Sequence, residues 1–226
     1  MTYTFYGHSC FSIEVNGIHI LFDPFITGNE LASQVNVEEI SADYILLSHG
    51  HSDHILDCVS IALRTGAKVV CSFEVHEWLN AKGVTNTHPM NLGGKWTFDE
   101  FTVKCVVAQH SSALPDGSYG GNPMGFLVFA GNESFYFAGD TALTMDMQLI
   151  PLWARLSFAI LPLGDNFTMG IEDAVIAARY AGAKKIIGVH YDTFGYIKIH
   201  QEEAKRAFSD KGLELLLPEI GESISL

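Results

Sequence analysis

Short apolar runs bounded by turn residues alternate along the chain with segments whose apolar positions recur every three or four residues. Cys10–Val15 and Ile18–Phe22 read as strands joined by Asn16-Gly17, the favoured two-residue hairpin turn, and Asp23-Pro24 stops the second run. Residues 44–47 form a short, wholly apolar strand that delivers the chain into Ser48-His49-Gly50-His51-Ser52-Asp53-His54. The pattern then predicts a helix over 55–64 closed by Gly66, a strand Lys68–Cys71, and a helix Phe73–Ala81 stopped by Gly83. Strands follow at 95–98, 101–107, 124–129 and 134–137. Next come a helix near 145–153, a buried strand at 158–161, a helix Ile171–Tyr180, a strand Lys185–Val189, a helix at 201–210 and two short terminal strands.

The two halves repeat. In the first, a hairpin ends at Asp23, and the strand 44–47 runs into a polar loop. In the second, a hairpin ends at Gly139-Asp140, and the strand 158–161 runs into Gly164-Asp165-Asn166. Two such halves packed sheet against sheet make an α/β fold, a four-layer αββα sandwich with strand-end loops at one rim. A doubly wound sheet fits the same element order, but the hairpins require antiparallel pairs and argue against it. One domain spanning 1–226 is expected.

Composition narrows the classes. The chain is 48% hydrophobic and 17% charged, with 21 Gly, which suits a folded domain with many turns. A net charge of −13, with only 13 Lys and Arg in no cluster, disfavours nucleic acid. The N-terminus lacks the basic and then apolar run of a signal peptide, and no stretch reaches the roughly 18 apolar residues of a membrane span. Cys10, Cys58, Cys71 and Cys105 are widely spaced and read as reduced, buried thiols. The expectation is a cytoplasmic protein with a small-molecule substrate and no nucleic-acid or membrane partner, self-association being left open.

The candidate chemistry lies in His49-x-His51-x-Asp53-His54, four ligand-type side chains within six residues directly after a buried strand. Alternation along an extended backbone points His49 and His51 to one side, and the following turn aims Asp53 and His54 elsewhere. One segment can thus feed two adjacent metal ions. Three more strand-end residues, His110, Asp140 and His190, are expected at the same rim.

These motifs resemble the metallo-β-lactamase superfamily over nearly the whole chain, and within it the small metal-dependent hydrolases near ascorbate-phosphate lactonase. The likeness is carried by Gly7-His8-Ser9-Cys10-Phe11, Phe22-Asp23-Pro24, residues 47–54, His110-Ser111-Ser112, Ala138-Gly139-Asp140-Thr141, residues 166–170 and residues 190–194. The resemblance implies a first metal on His49, His51 and His110, a second on Asp53, His54 and His190, and Asp140 bridging them. Zn and Mn are the two candidates for an all His/Asp set. The implied activity is hydrolysis, by a water activated between two metals, of a small phosphodiester, phosphorylated lactone or ester. The alternative is a non-catalytic metal-binding sensor or scaffold with the same fold, though none of the seven positions is degraded.

Departures from neighbouring branches narrow the resemblance. Asp140 stands where secreted antibiotic-degrading relatives place cysteine. His51 replaces the Glu of diiron oxidoreductases, and about thirty residues between His110 and Asp140 are too few for the extra domain of the nucleic-acid-cutting branch. Asp53 is expected to orient the attacking water as well as ligate. His8 is expected to bond substrate or metal, and Asp23 to orient a ligating histidine. Asp165 would alter pocket charge, while His19, His76, His88 and His200 read as packing or surface residues. The Gly-rich loop 111–123, with little that could enter a core, reads as a lid.

Overall fold

A computed structural model describes residues 1–226, which divide into two compact units. The first comprises Met1–Asn91, Ser111–Pro123 and Pro218–Leu226, the second Leu92–His110 and Met124–Leu217. Each is built on a mixed sheet of seven strands. No helix is long and apolar enough to cross a membrane.

In the first unit β1 (Thr2–Gly7), β2 (Cys10–Val15) and β3 (Ile18–Phe22) form an antiparallel meander, and β4 (Tyr44–Leu46), β5 (Lys68–Cys71) and β6 (Thr87–Pro89) extend it in parallel. The hairpin turn is as the sequence predicts, with Asn16 at φ 53° and Gly17 at φ 81°. The short edge strand β6, which carries Pro89, gives no periodic signal and is legible only from its pairing with β5. Helices α1 (Ser52–Ile55), α2 (Cys58–Thr65) and α3 (Phe73–Ala81) follow the strands. The single helix expected over 55–64 is broken at Asp57, whose buried carboxylate accepts from the backbone N–H groups of Ile26 and Thr27. The core of the first unit packs Leu21, Ile45, Leu47, Val69 and Cys71 against Ile61, Val75 and Leu79 of the helices.

The second unit orders β7 (Lys95–Thr97), β8 (Thr102–Val107), β9 (Met124–Ala130) and β10 (Glu133–Phe137) as an antiparallel ribbon. β11 (Phe158–Pro162), β12 (Lys185–Val189) and β13 (Glu214–Leu216) continue it in parallel. The helices are α4 (Ile150–Trp153), α5 (Ile171–Tyr180) and α6 (Gln201–Ser209). The helix predicted near 145–153 begins as a 3₁₀ segment, Met145–Leu149, before α4. Strands β10, β11 and β12 are buried on both faces, which explains their unbroken apolar runs. The last strand, β14 (Ser223–Ser225), pairs antiparallel with β1 and completes the first sheet.

Strand direction positions the candidate residues. In the first sheet the β1–β2 turn and the C-terminal ends of β3 and β4 lie at one end; these carry His8, Asp23 and His49. In the second, β8, β10 and β12 run the same way and lead to His110, Asp140 and His190.

The loop 111–123 puts more into the core than its composition suggests. Leu114 is 5% exposed and belongs to the core of the first unit. Ala113 bridges Tyr119, Gly120 N–H donates to the Ser112 carbonyl, and Ser72 Oγ donates to the Gly120 carbonyl. Gly50, inside the histidine motif, lies so close that a Cβ there would come 3.1 Å from Leu114 and 3.3 Å from Ser112 Oγ. Polar composition hid one apolar anchor. Leu114→Ala is therefore expected to cost about 2–5 kcal/mol and lower the melting temperature by roughly 10 °C. An unchanged melting curve would show that the loop is not anchored through Leu114.

Candidate metal centre

Two short polar networks, one in each unit, hold the predicted residues. In the first, Asp23 is fully buried at the end of β3 and acts as a hub. It accepts from Ser48 N–H at 2.7 Å and from Ser48 Oγ at 2.6 Å, and faces His54 Nδ1 at 2.9 Å. Ser48 Oγ, committed as donor to Asp23, accepts from His49 Nδ1 at 2.9 Å. One carboxylate thereby sets the tautomer of two imidazoles and leaves His49 Nε2 and His54 Nε2 as their outward nitrogens. Burial is the main influence on Asp23 and raises its pKa, while the bonds from His54 and Ser48 oppose that rise.

The outward nitrogens face further donors. His49 Nε2 lies 2.9 Å from His51 Nδ1. Asp53 Oδ2 lies 3.1 Å from His8 Nε2 and 3.9 Å from His54 Nε2. The ligand atoms of His8, Asp53 and His54 all fall within 4.8 Å of one another. In the second unit the same Asp140 oxygen, Oδ2, is 3.0 Å from His190 Nε2 and 3.6 Å from His110 Nε2. Donors sharing one ion at about 2.0–2.2 Å are separated by roughly 3–3.5 Å, so imidazole and carboxylate atoms at these spacings fit divalent metals. Nitrogen and oxygen donors without thiolate also suit such ions.

Backbone strain marks the same positions. Seven non-glycine residues have positive φ, and six of them (His8, Asp23, Asp165, Asn166, His190 and Asp192) lie on loops at the ligand ends of the two sheets. The left-handed region is unfavourable for residues with a Cβ, although Asn, Asp and His tolerate it best. Here it turns the chain sharply at a strand end and keeps the side chain at the strand terminus.

Among the other predicted residues, Asp165 sits on the loop after β11, exposed, and bonds Asn166 N–H. Thr168 is half-buried, and Tyr191 is buried next to His190. His76 Nδ1 contacts Thr87 Oγ1, and His200 precedes α6; neither joins the networks. All four cysteines are buried, free thiols, and burial pushes that of Cys105 up to about 12. Ser48, Ser112 and Asp57 received no role from the sequence. Ser48 could have been found: a hydroxyl between a strand and a ligand-type histidine is well placed to carry a bond to a neighbouring carboxylate.

With this geometry in view, the likeness to known proteins is informative. A family model described as "Beta-lactamase superfamily domain" matches residues 19–191, a span that contains His49 through His190 but not His8. A "UPF0173 metal-dependent hydrolase" of Christiangramia forsetii is 54% identical over 227 residues, covering 100% of both chains. Among solved structures, Igni18, a metallo hydrolase from the archaeon Ignicoccus hospitalis, is 32% identical. It superposes with a TM-score of 0.89 over 99% of this chain and 97% of that one. An isothiocyanate hydrolase from Delia radicum gut bacteria, 18% identical with a TM-score of 0.81 over 100% and 99% of the chains, shares the fold. The chain belongs to the β-lactamase superfamily and is a metal-dependent hydrolase of the metallo-β-lactamase fold.

Proposed function

We propose that His49, His51, Asp53, His54, His110, Asp140 and His190 hold two divalent metal ions, Zn or Mn, in one cytoplasmic hydrolase domain spanning 1–226. The observation that carries this reading is the single Asp140 oxygen facing two imidazole nitrogens, at 3.0 and 3.6 Å. One carboxylate atom so placed is suited to serve two neighbouring ions. Such ions, when bound, lower the pKa of a water towards neutrality and polarise the bond under attack.

The chain's own residues do the rest. Asp53 Oδ2, held 3.1 Å from His8 Nε2, accepts the proton of the attacking water and keeps its lone pair aimed at the electrophile. His8 positions Asp53 through this contact. Asp23 and Ser48 hold His49 and His54 in the neutral tautomer that a metal ligand requires. No cysteine takes part, because all four are buried. The substrate is a small phosphodiester, phosphorylated lactone or ester.

The test is turnover on a panel of phosphodiesters, lactones and esters, with metal content measured on the same sample. Activity should rise through an apparent pKa of roughly 7–8 or below and disappear on chelation. A protein carrying two metals per chain that turns over no member of the panel would favour a non-catalytic metal-binding protein instead.

A further inference from the structure

Cations and aromatic rings are sorted to different places in this fold. In the second unit Arg155 precedes β11, Lys184 and Lys185 stand at the start of β12, and Arg179 lies in the last turn of α5, which runs back towards that start. These positions are at the opposite end of the parallel strands from Asp140 and His190. Lys95 and Lys104 face each other within the β7–β8 pair, with their ammonium groups over the rings of Phe129 and Trp153. Lys205, Arg206 and Lys211 belong to α6 and the turn after it. Lys198 alone lies on the loops that leave the ligand end. There it borders a cavity of about 530 Å³ beside Asp165, Glu172, Asp173 and Glu203. In the first unit Arg64, Lys68 and Lys82 stand at the end of α2, the start of β5 and the end of α3, and no cation follows β3 or β4 before α2.

What the ligand end of the second unit offers is aromatic. Phe167, on the loop after β11, is 51% exposed, and Tyr196, on the loop after β12, is 79% exposed. Their rings meet edge to face, 6.4 Å apart at 80°. Both loops are braced. Met169 N–H donates to the carbonyl of Thr141, the residue after Asp140, and Asp192 N–H donates to Ile197. Gly164 is pressed against the His190 carbonyl and Ile197, where no Cβ could fit. The ring pair therefore rides on backbone rooted next to two of the proposed ligands.

A phosphorylated substrate is normally held by Arg or Lys, singly or as a bidentate fork. Apart from the metal ions themselves, the loops at this end add only Lys198, which stands among Asp165, Glu172, Asp173 and Glu203 beside a cavity that neither ring lines. An uncharged substrate needs no such cation and gains by covering exposed ring surface. We infer that the substrate is an uncharged ester bearing a flat apolar group, seated on the Phe167–Tyr196 pair, and that anionic phosphate esters are poor substrates. This rests on the hydrolase reading above and narrows it to one of its three substrate classes.

The experiment compares metal-loaded wild type, Tyr196→Phe and a Phe167→Ala/Tyr196→Ala double variant. Calorimetry would follow acetohydroxamate and benzohydroxamate, which share a metal-seeking head and differ in the ring. Wild type should prefer the aryl compound about tenfold. The double variant should lose that preference while keeping its metal content and its acetohydroxamate affinity, and Tyr196→Phe should retain it. On the substrate side, KM for 4-nitrophenyl butyrate should lie well below KM for the anionic bis(4-nitrophenyl) phosphate. An aryl preference that survives the double substitution, or a lower KM for the phosphodiester, would overturn the inference. Loss of turnover on every ester would count against the hydrolase reading alone, since the hydroxamate ratio decides the role of the ring pair without turnover.

Discussion

Asp140→Ala should lose at least one of two metal ions per chain and lower kcat/KM by more than about a thousandfold. Asp140 is 2% exposed, and its Oδ2 is shared between His190 and His110. Alanine removes the carboxylate and leaves two buried or half-buried imidazoles facing a space with no negative charge, which favours neither a cation nor a fixed ring orientation. Electrophilic and nucleophilic contributions from a metal pair are each worth several kcal/mol, so losing one ion removes most of the rate enhancement. Elemental analysis of wild type and variant, with kinetics on the same samples, checks this. Equal metal content in the two proteins would sink the bridging role of Asp140.

Asp23→Ala should act on both stability and metal affinity, although Asp23 is not proposed as a ligand. The carboxylate takes three bonds in a site with no access to solvent. Its removal strands Ser48 N–H, the Ser48 hydroxyl and His54 Nδ1, and about 3–5 kcal/mol of folding free energy should be lost. Metal affinity should fall roughly 10–100-fold, because His49 and His54 lose the bonds that fix their tautomers. Asp23→Asn, which keeps an acceptor for Ser48, should recover part of the stability and less of the affinity. Denaturant titration together with a chelator competition separates the two effects. An Asp23→Ala protein with wild-type metal affinity would show that the buried hub has no influence on the metal site.

The apolar runs of β10, β11 and β12 and the Asn16-Gly17 hairpin were legible because burial on both faces and a positive-φ turn leave unmistakable local patterns. The histidine motif was legible for a similar reason: four ligand-type residues after a buried strand have few other uses. The break at Asp57 was not, because its cause lies 30 and 31 residues away, at the backbone of Thr27 and Ile26. Nor was the anchoring of loop 111–123, which follows a strand of the second unit in sequence yet packs Leu114 into the first.

The sequence by itself determined the two-half αβ pattern, the strand-end positions of His110, Asp140 and His190 and the shortage of cations. All three follow from local periodicity, turn chemistry and counting. Only the tertiary structure decided that Asp23 and Ser48 link His49 to His54, that one Asp140 oxygen faces two histidines, and that Phe167 meets Tyr196. Those relations join residues brought together by strand order and direction. Strand order depends on the balance of long-range pairings, which no single stretch of chain encodes.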